Sequence, residues 1–346
     1  MATQDSSAAA VYVQTNDAAG NDVLAFERLA DGGLAPLGRF ATDGRGTGKP
    51  HLASQSSIVL TEDGAQLLVV NAGSDELSLF AVERGGLRLA DRVASGGVAP
   101  TSVAVSRDLV YVLNNGTPGI AGFRNEGGRL VALEGSRRPL SADDADPAQI
   151  SFSPDGRTLA VTERGTDSIS TFAVDERGYA AGPTTIKASG KTPYGFGFTS
   201  DGAMIVTEAF GGEVGAAAAA SYSLTEPGRL APVSGSVRDT RSEVCWAVVS
   251  HNGRFAYVTN FGDGTISSFD IGDGGGLALR DAVAGSTRMG EKGIRDEAIS
   301  RDGRFLYAID ADAQQVFGWT IGDDGALSAI GAFEGVPDTV AGLAAS

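Results

Sequence analysis

The sequence is short of the residues that build most metal centres and nucleophile sites. Its one cysteine, Cys245, excludes an intrachain disulfide and a cysteine-based metal cage. Its two histidines, His51 and His251, stand far apart and cannot supply a three-histidine zinc site. A Ser-His-Asp triad would have to use one of them. No run approaches the roughly 18 consecutive apolar residues of a membrane-spanning helix. The amino terminus, MATQDSSAAAVYV, has neither a basic start nor a long apolar stretch. The chain is therefore expected in the cytoplasm if it is full length, and outside the cytoplasm or in the periplasm if a leader has been removed. Basic residues number 27 against 43 acids, for a net charge of −16. Such a surface repels phosphate backbones, which excludes nucleic acid and anionic membranes as partners and leaves small molecules.

What is abundant is glycine, with 49 residues, and it recurs in a pattern. The segments ISFSPDGRTLAVTERGTDSISTFAV (150–174) and AVVSHNGRFAYVTNFGDGTISSFDI (247–271) are copies of one unit. IVLTEDGAQLLVVNAGSDELSLFAV (58–82) and FGFTSDGAMIVTEAFGGEV (196–214) repeat it, and 103–123 and 297–319 do so more weakly. Each unit reads as an apolar strand, a Ser-x-Asp-Gly turn, a second strand ending in Asn or an acid, and a third strand. A variable outer strand follows. Asp-Gly and Asn-Gly suit tight hairpins because glycine tolerates positive φ. The period of two marks sheet rather than helix. Four-stranded repeats of about 40–50 residues predict an all-β fold, the β-propeller.

The residues closing the second strands number seven: Asn16, Asn71, Asn114, Glu163, Glu208, Asn260 and Asp310. The first copy lacks an inner strand, and the carboxyl end (336–346) resembles an inner strand with nothing after it. The sequence thus predicts one seven-bladed domain over 1–346, closed by the last strand joining blade 1. The Ala-rich stretch 211–223 reads as a loop insertion in blade 5.

In an antiparallel blade, the start of the inner strand and the end of the second strand share one end. That mouth of the central channel should carry the ligand. Aligned inner strands place Ser56, Thr101, Ala148, Tyr194, Cys245, Arg295 and Asp338 there, followed by Ser57, Ser102, Gln149, Gly195, Trp246, Asp296 and Thr339. Asn after a strand commonly caps its own turn; Asn71 and Asn260 are also candidate ligand contacts, with Gln149, Tyr194, Trp246 and Phe261. Glu163 and Glu208 are poor turn formers. In equivalent slots of adjacent blades they should face one cavity and raise one another's pKa, as an acid–base pair requires. Ion pairing with Arg164, Arg295 or solvent is the plainer alternative.

The repeated SxDG unit and the segments FSPDGRTLAVTERGTDSISTF and SQSSIVLTEDG…VVNAGSDELSLF resemble the seven-bladed lactonase family along essentially the whole chain. That family includes bacterial 6-phosphogluconolactonase propellers and fungal carboxymuconate lactonizing enzymes. The resemblance implies a Pro-His-Pro-His opening to blade 4, where this chain has Asp146-Pro147-Ala148-Gln149. It implies Pro-Arg-His opening blade 5, here Pro193-Tyr194-Gly195, and Asn-Arg-Gly in blade 6, here Asn260-Phe261-Gly262. The family's Asn-Glu persists as Thr207-Glu208, and its Pro-Arg opening blade 7 persists as Ile294-Arg295. With family cations replaced by aromatics, a phosphorylated or polycarboxylate substrate loses the groups that offset its desolvation.

The expectation is a lactonase-like hydrolase for a small uncharged or monoanionic lactone. Glu208 would be the general base, Arg295 the oxyanion stabiliser and Glu163 the residue tuning Glu208. No cofactor or metal is assigned. A Glu/Asn/Asp ring does have the oxygens of a calcium site, as in sugar-lactonase propellers. A non-catalytic ligand- or partner-binding propeller and a lactonizing cycloisomerase remain the alternatives.

Overall fold

The computed structural model describes residues 9–49 and 52–346; His51 lies outside the described residues. Among the described residues, seven antiparallel sheets form the blades of a propeller, and helix is confined to two single turns of 3-10 type. Blade 1 runs Gly342–Ala345, Ala10–Gln14, Asp22–Arg28, Leu34–Ala41, so the last strand of the chain is the innermost strand of the first blade. Its register pairs Tyr12 with Ala344 and Val13 with Leu343. The closing strand is shorter than the 336–346 segment expected, because residues 337–340 form a turn anchored by Thr339 Oγ1 donating to Thr15 O at 2.7 Å.

The second strands of blades 2–7 end where the repeats place them, on Asn71, Asn114, Glu163, Glu208, Asn260 and Asp310. In blade 1 the strand stops at Gln14, and Asn16 lies two residues beyond with φ 53°. Blade 3 departs at its outer edge, where two short segments, Leu130–Ala132 and Arg138–Pro139, both pair with the third strand. Blade 5 corrects the expected loop at 211–223. Ala218–Glu226 is its third strand, and only the stretch before it, which opens with a 3-10 turn at Phe210–Gly212, lies outside the sheet. Alanines there are too small to look like a strand's apolar face. They are buried nonetheless, with Ala217 and Ala219 in the seam toward blade 6 and Ala220 in the seam toward blade 4.

The core lies between blades. Val103 packs at the blade 2–3 seam, Ile150 at the blade 3–4 seam, Phe196 at the blade 4–5 seam and Ala247 at the blade 5–6 seam. These four occupy the same position of successive inner strands, and so does Glu297 in blade 7. An acid therefore stands where the repeat otherwise places an apolar core residue.

Candidate active site at the upper mouth

Each inner strand of blades 3–7 pairs its first residue with the last residue of the second strand, and a β-bulge follows at once. A bulge leaves its residues off the ladder and re-aims their side chains. The bulges thereby turn Tyr194 and Gly195, Cys245 and Trp246, and Arg295 and Asp296 toward the mouth and the channel.

Tyr194, Trp246, Cys245 and Ala148 form one buried cluster, with Ala53 and Phe261 packed against it. The rings of Tyr194 and Trp246 lie 5.7 Å apart. Two guanidiniums flank this cluster. Arg164 stands 4.8 Å from the Tyr194 ring centroid and Arg295 4.6 Å from that of Phe261. Lys292 lies 5.4 Å from Phe261 on the same rim. Arg164 is bridged to Asp146 at 2.7 Å and Lys292 to Glu243 at 2.8 Å. Burial pulls the Arg295 guanidinium below its ordinary pKa, and Asp312 is the strongest of the acids opposing it. Burial pushes the Cys245 thiol up to about 12, against the pull of Arg295 and Arg164, so it is no nucleophile at neutral pH.

The channel below this rim is closed by the chain itself. The segment entering blade 2 crosses the axis. Ser54 O accepts the Trp246 indole N–H at 3.0 Å, and Ser54 Oγ donates to Thr101 O at 2.7 Å. The Gln55 amide then spans to blade 6, donating to Ala247 O at 2.8 Å and accepting from Ala247 N at 3.0 Å. Gln149 does the same for blade 5, bonding both N and O of Phe196 at 2.6 and 3.0 Å. Inner strands present an unpaired edge to the channel, and these amides satisfy it as a further strand would. Gly195 makes room for the crossing: a Cβ there would fall 2.2 Å from Gln55 Oε1 and 2.7 Å from Cys245 O. Gln149 is thus a staple inside the channel rather than a lining residue of the open mouth.

The second-strand ends do something else. Asn71 accepts from Thr42 and Asn21 and donates to Ser78; Asn114 accepts from Ser95; Asn260 donates to Ser267, which donates to Asp239. Thr42, Ser95 and Asp239 each sit just after the outer strand of the preceding blade. The repeat is a clamp that fastens each blade to the chain arriving from the last. Glu163 and Glu208 are the same clamp in blades 4 and 5. Glu163 accepts from Ser141 N at 3.2 Å, from the hydroxyls of Ser141 and Ser170, and from Thr166 Oγ1 at 2.8 Å. Glu208 accepts from Gly190 N at 2.6 Å and from the Ser236 hydroxyl. Both carboxyls are fully buried and share no partner. Burial raises the Glu208 pKa, opposed by Ser236, Gly190 and Arg238; Glu163 is not among the causes. The expectation of two acids facing one cavity is therefore corrected. The strand places them in equivalent slots, but those slots point into separate inter-blade seams.

The sequence matches the family model described as lactonase, 7-bladed beta-propeller, over residues 11–133, 136–209 and 208–339. The chain belongs to this seven-bladed lactonase family. No curated protein matches it. Among solved structures it is similar to a periplasmic gluconolactonase of Pseudomonas aeruginosa, at 18% identity and TM-score 0.71, covering 97% of this chain and 98% of that one. A Lactobacillus plantarum protein superposes at TM-score 0.79 and 17% identity, covering 98% and 99%. A candidate 6-phosphogluconolactonase of Bacteroides fragilis does so at TM-score 0.72 and 18% identity, covering all of both chains. At such identities the likeness speaks for the fold.

Within this lactonase-family propeller, the structure gathers Tyr194, Trp246, Phe261 and Arg295, and leaves Glu163, Glu208, Asn71 and Asn260 in the clamps. Sequence reasoning missed Gln55, because nothing in a loop residue's neighbours says it will cross a channel. It also missed Arg164 as a mouth residue and Asp312 beside Arg295. Arg164 did carry a signal: it follows Glu163 directly, at the tip of a second strand.

Proposed function

We propose that this propeller is a lactonase-type hydrolase that takes a small lactone, carrying at most one negative charge, on the upper mouth. The convergence of Arg164 and Arg295 on the Tyr194–Phe261 surface carries this reading, together with family membership. The aromatic faces supply an apolar platform for a sugar-like ring. Arg164 and Lys292 already face Asp146 and Glu243, so the rim offers little net positive charge to a doubly charged phosphate.

In hydrolysis, water adds to the lactone carbonyl carbon and its proton passes to a base. The ring C–O bond then breaks, and the departing oxygen takes a proton to give the hydroxy acid. Arg295 is placed to stabilise the oxyanion. Glu208 lacks any exposed surface, so the base we assign is Asp312, exposed and electrostatically coupled to Arg295. A panel of aldonolactones followed by pH-stat tests the reading. Turnover that falls by roughly 10²–10⁴-fold in Asp312→Asn, the usual worth of a positioned base, supports it. Absence of turnover on every lactone, with saturable binding retained, would favour a non-catalytic ligand-binding propeller. That second reading draws on the Gln55 crossing, which leaves the ligand a shallow seat rather than a deep pocket.

A further inference from the structure

Beneath the Gln55 crossing, the channel widens into a chamber of about 350 Å³ reached from the opposite face. Its wall is mixed: Ile58, Val248, Ile299 and Leu343 share it with Gln55, Ser56 and Gln149, and Asp296 and Glu297 belong to it as well. Asp296 is fully engaged: the backbone N–H groups of Glu297, Leu343 and Ser56 all donate to its carboxyl. Glu297 is not. It is 2% exposed, and among the described residues neither Oε1 nor Oε2 has a hydrogen-bond partner.

A buried carboxyl without a partner is costly, whether it is left ionised or must keep its proton. The other inner strands show that an apolar side chain serves the same position. The acid therefore opposes stability where the fold makes no demand for it, which is the mark of a residue kept for a ligand. We propose that this chamber binds a small organic cation, an ammonium or guanidinium group on a short apolar body, with Glu297 as its counter-ion.

The chemistry of the walls selects that class. A calcium ion needs about six to eight oxygen ligands, and the Asp296 carboxyl and the Gln55 and Gln149 amides on this wall are already committed to backbone groups. An alkyl cation places its charge on the carboxylate and its body along the apolar part of the wall. The size of the chamber is at the lower end for ligand pockets, which limits the body to a few carbons. The net charge of −16 draws cations toward the opening. Burial and the neighbouring Asp296 both raise the pKa of Glu297, which favours its protonated form while the chamber is empty. The other titratable groups around it are Tyr257 on the second strand of blade 6 and His251 at the rim. A cation must displace that proton, so binding and proton release are one event.

The test is titration calorimetry on the intact protein at neutral pH, with n-butylammonium, n-butylguanidinium, neutral n-butanol and calcium chloride as separate probes. Saturable binding of either organic cation below ~50 mM is expected, with no binding of butanol or calcium. Repeating the titration in buffers of different ionisation enthalpy should show close to one proton released per cation bound. Glu297→Gln, nearly isosteric, should weaken cation binding at least ~10-fold. Failure of both cations to bind, binding without proton release, equal binding by butanol, or binding of calcium instead would each overturn the proposal. Because the proton count is read on the unaltered protein, the proposal stays testable even if the variant does not fold.

Discussion

Removing residues 336–346 should open the ring. The segment buries Val336, Val340 and Leu343 in the seam of blades 7 and 1, and Ala341 and Ala344 against its neighbours. Full burial of a Val or Leu side chain is worth about 1.5–3 kcal/mol, so those three alone contribute roughly 5–9 kcal/mol. Deletion also strips the inner partner from Ala10–Gln14, exposing a four-residue ladder edge that pairs Val11 with Ala345 through Gln14 with Gly342. The loss is comparable to the whole stability of an ordinary domain, about 5–15 kcal/mol. A thermal melt with simultaneous light scattering is the assay. The truncated protein should lose its cooperative transition or aggregate well below the parent's midpoint, because a free inner edge templates pairing with other chains. Leu343→Ala gives the graded control and should cost about 2–5 kcal/mol, with the ring still closed. A truncated protein that melts cooperatively at the parent temperature would refute the role given to the closing strand.

Gly195→Ala should push Gln55 off blade 6 and cost about 1–3 kcal/mol as overpacking; the Trp246 indole bonded to Ser54 reports it, and unchanged tryptophan fluorescence and stability would contradict the crossing. Glu208→Gln should leave turnover within about threefold and stability within ~1 kcal/mol, since a carboxamide can still accept from Gly190 and donate to Ser236. A 10²–10⁴-fold fall in kcat in that variant would return Glu208 to the role of general base. Asp296 is pushed up to about 8 by burial, so the folded state keeps a proton that the unfolded chain releases near pH 4. The native state then binds more protons across that window, and stability should fall as pH rises from about 4 to 8, by up to ~1.4 kcal/mol per pH unit for this one group. In Asp296→Asn, whose carbonyl still accepts from Leu343, denaturant midpoints taken between pH 5 and 8 should lose most of that slope; an unchanged slope would show that Asp296 ionises normally.

The clamps show why part of the site was misread from sequence. Period-two alternation says only that Glu208 lies on the opposite face from Thr207, and the repeat says only that Glu163 is its equivalent. Which face looks into the channel depends on how each sheet twists and leans on the next blade, and that is a property of the assembled ring. Glu297 shows the converse. Two acids inside the strand Ile-Arg-Asp-Glu-Ala-Ile, where the aligned strand of blade 6 reads Val-Cys-Trp-Ala-Val-Val, are visible without a structure. What sets Glu297 apart from Asp296 is that its carboxyl has no hydrogen-bond partner among the described residues, which is visible only once the chamber is built.

Turn chemistry, strand period and repeat spacing are local quantities, each set within a few residues, and they determined the seven blades and the second-strand ends. The mismatch of the two chain ends added the closure, because an unpaired inner strand at one end and a missing one at the other have a single joint solution. Tertiary structure alone decided what the ends of those strands do. The β-bulges turned Tyr194, Trp246 and Arg295 to the mouth, and the seams between blades took Glu163 and Glu208 out of it. The hydrogen bonds of Gln55 bridge 192 residues to reach Ala247. Contacts that distant come from ring closure, which brings strand edges together regardless of their separation along the chain, and no local pattern encodes them.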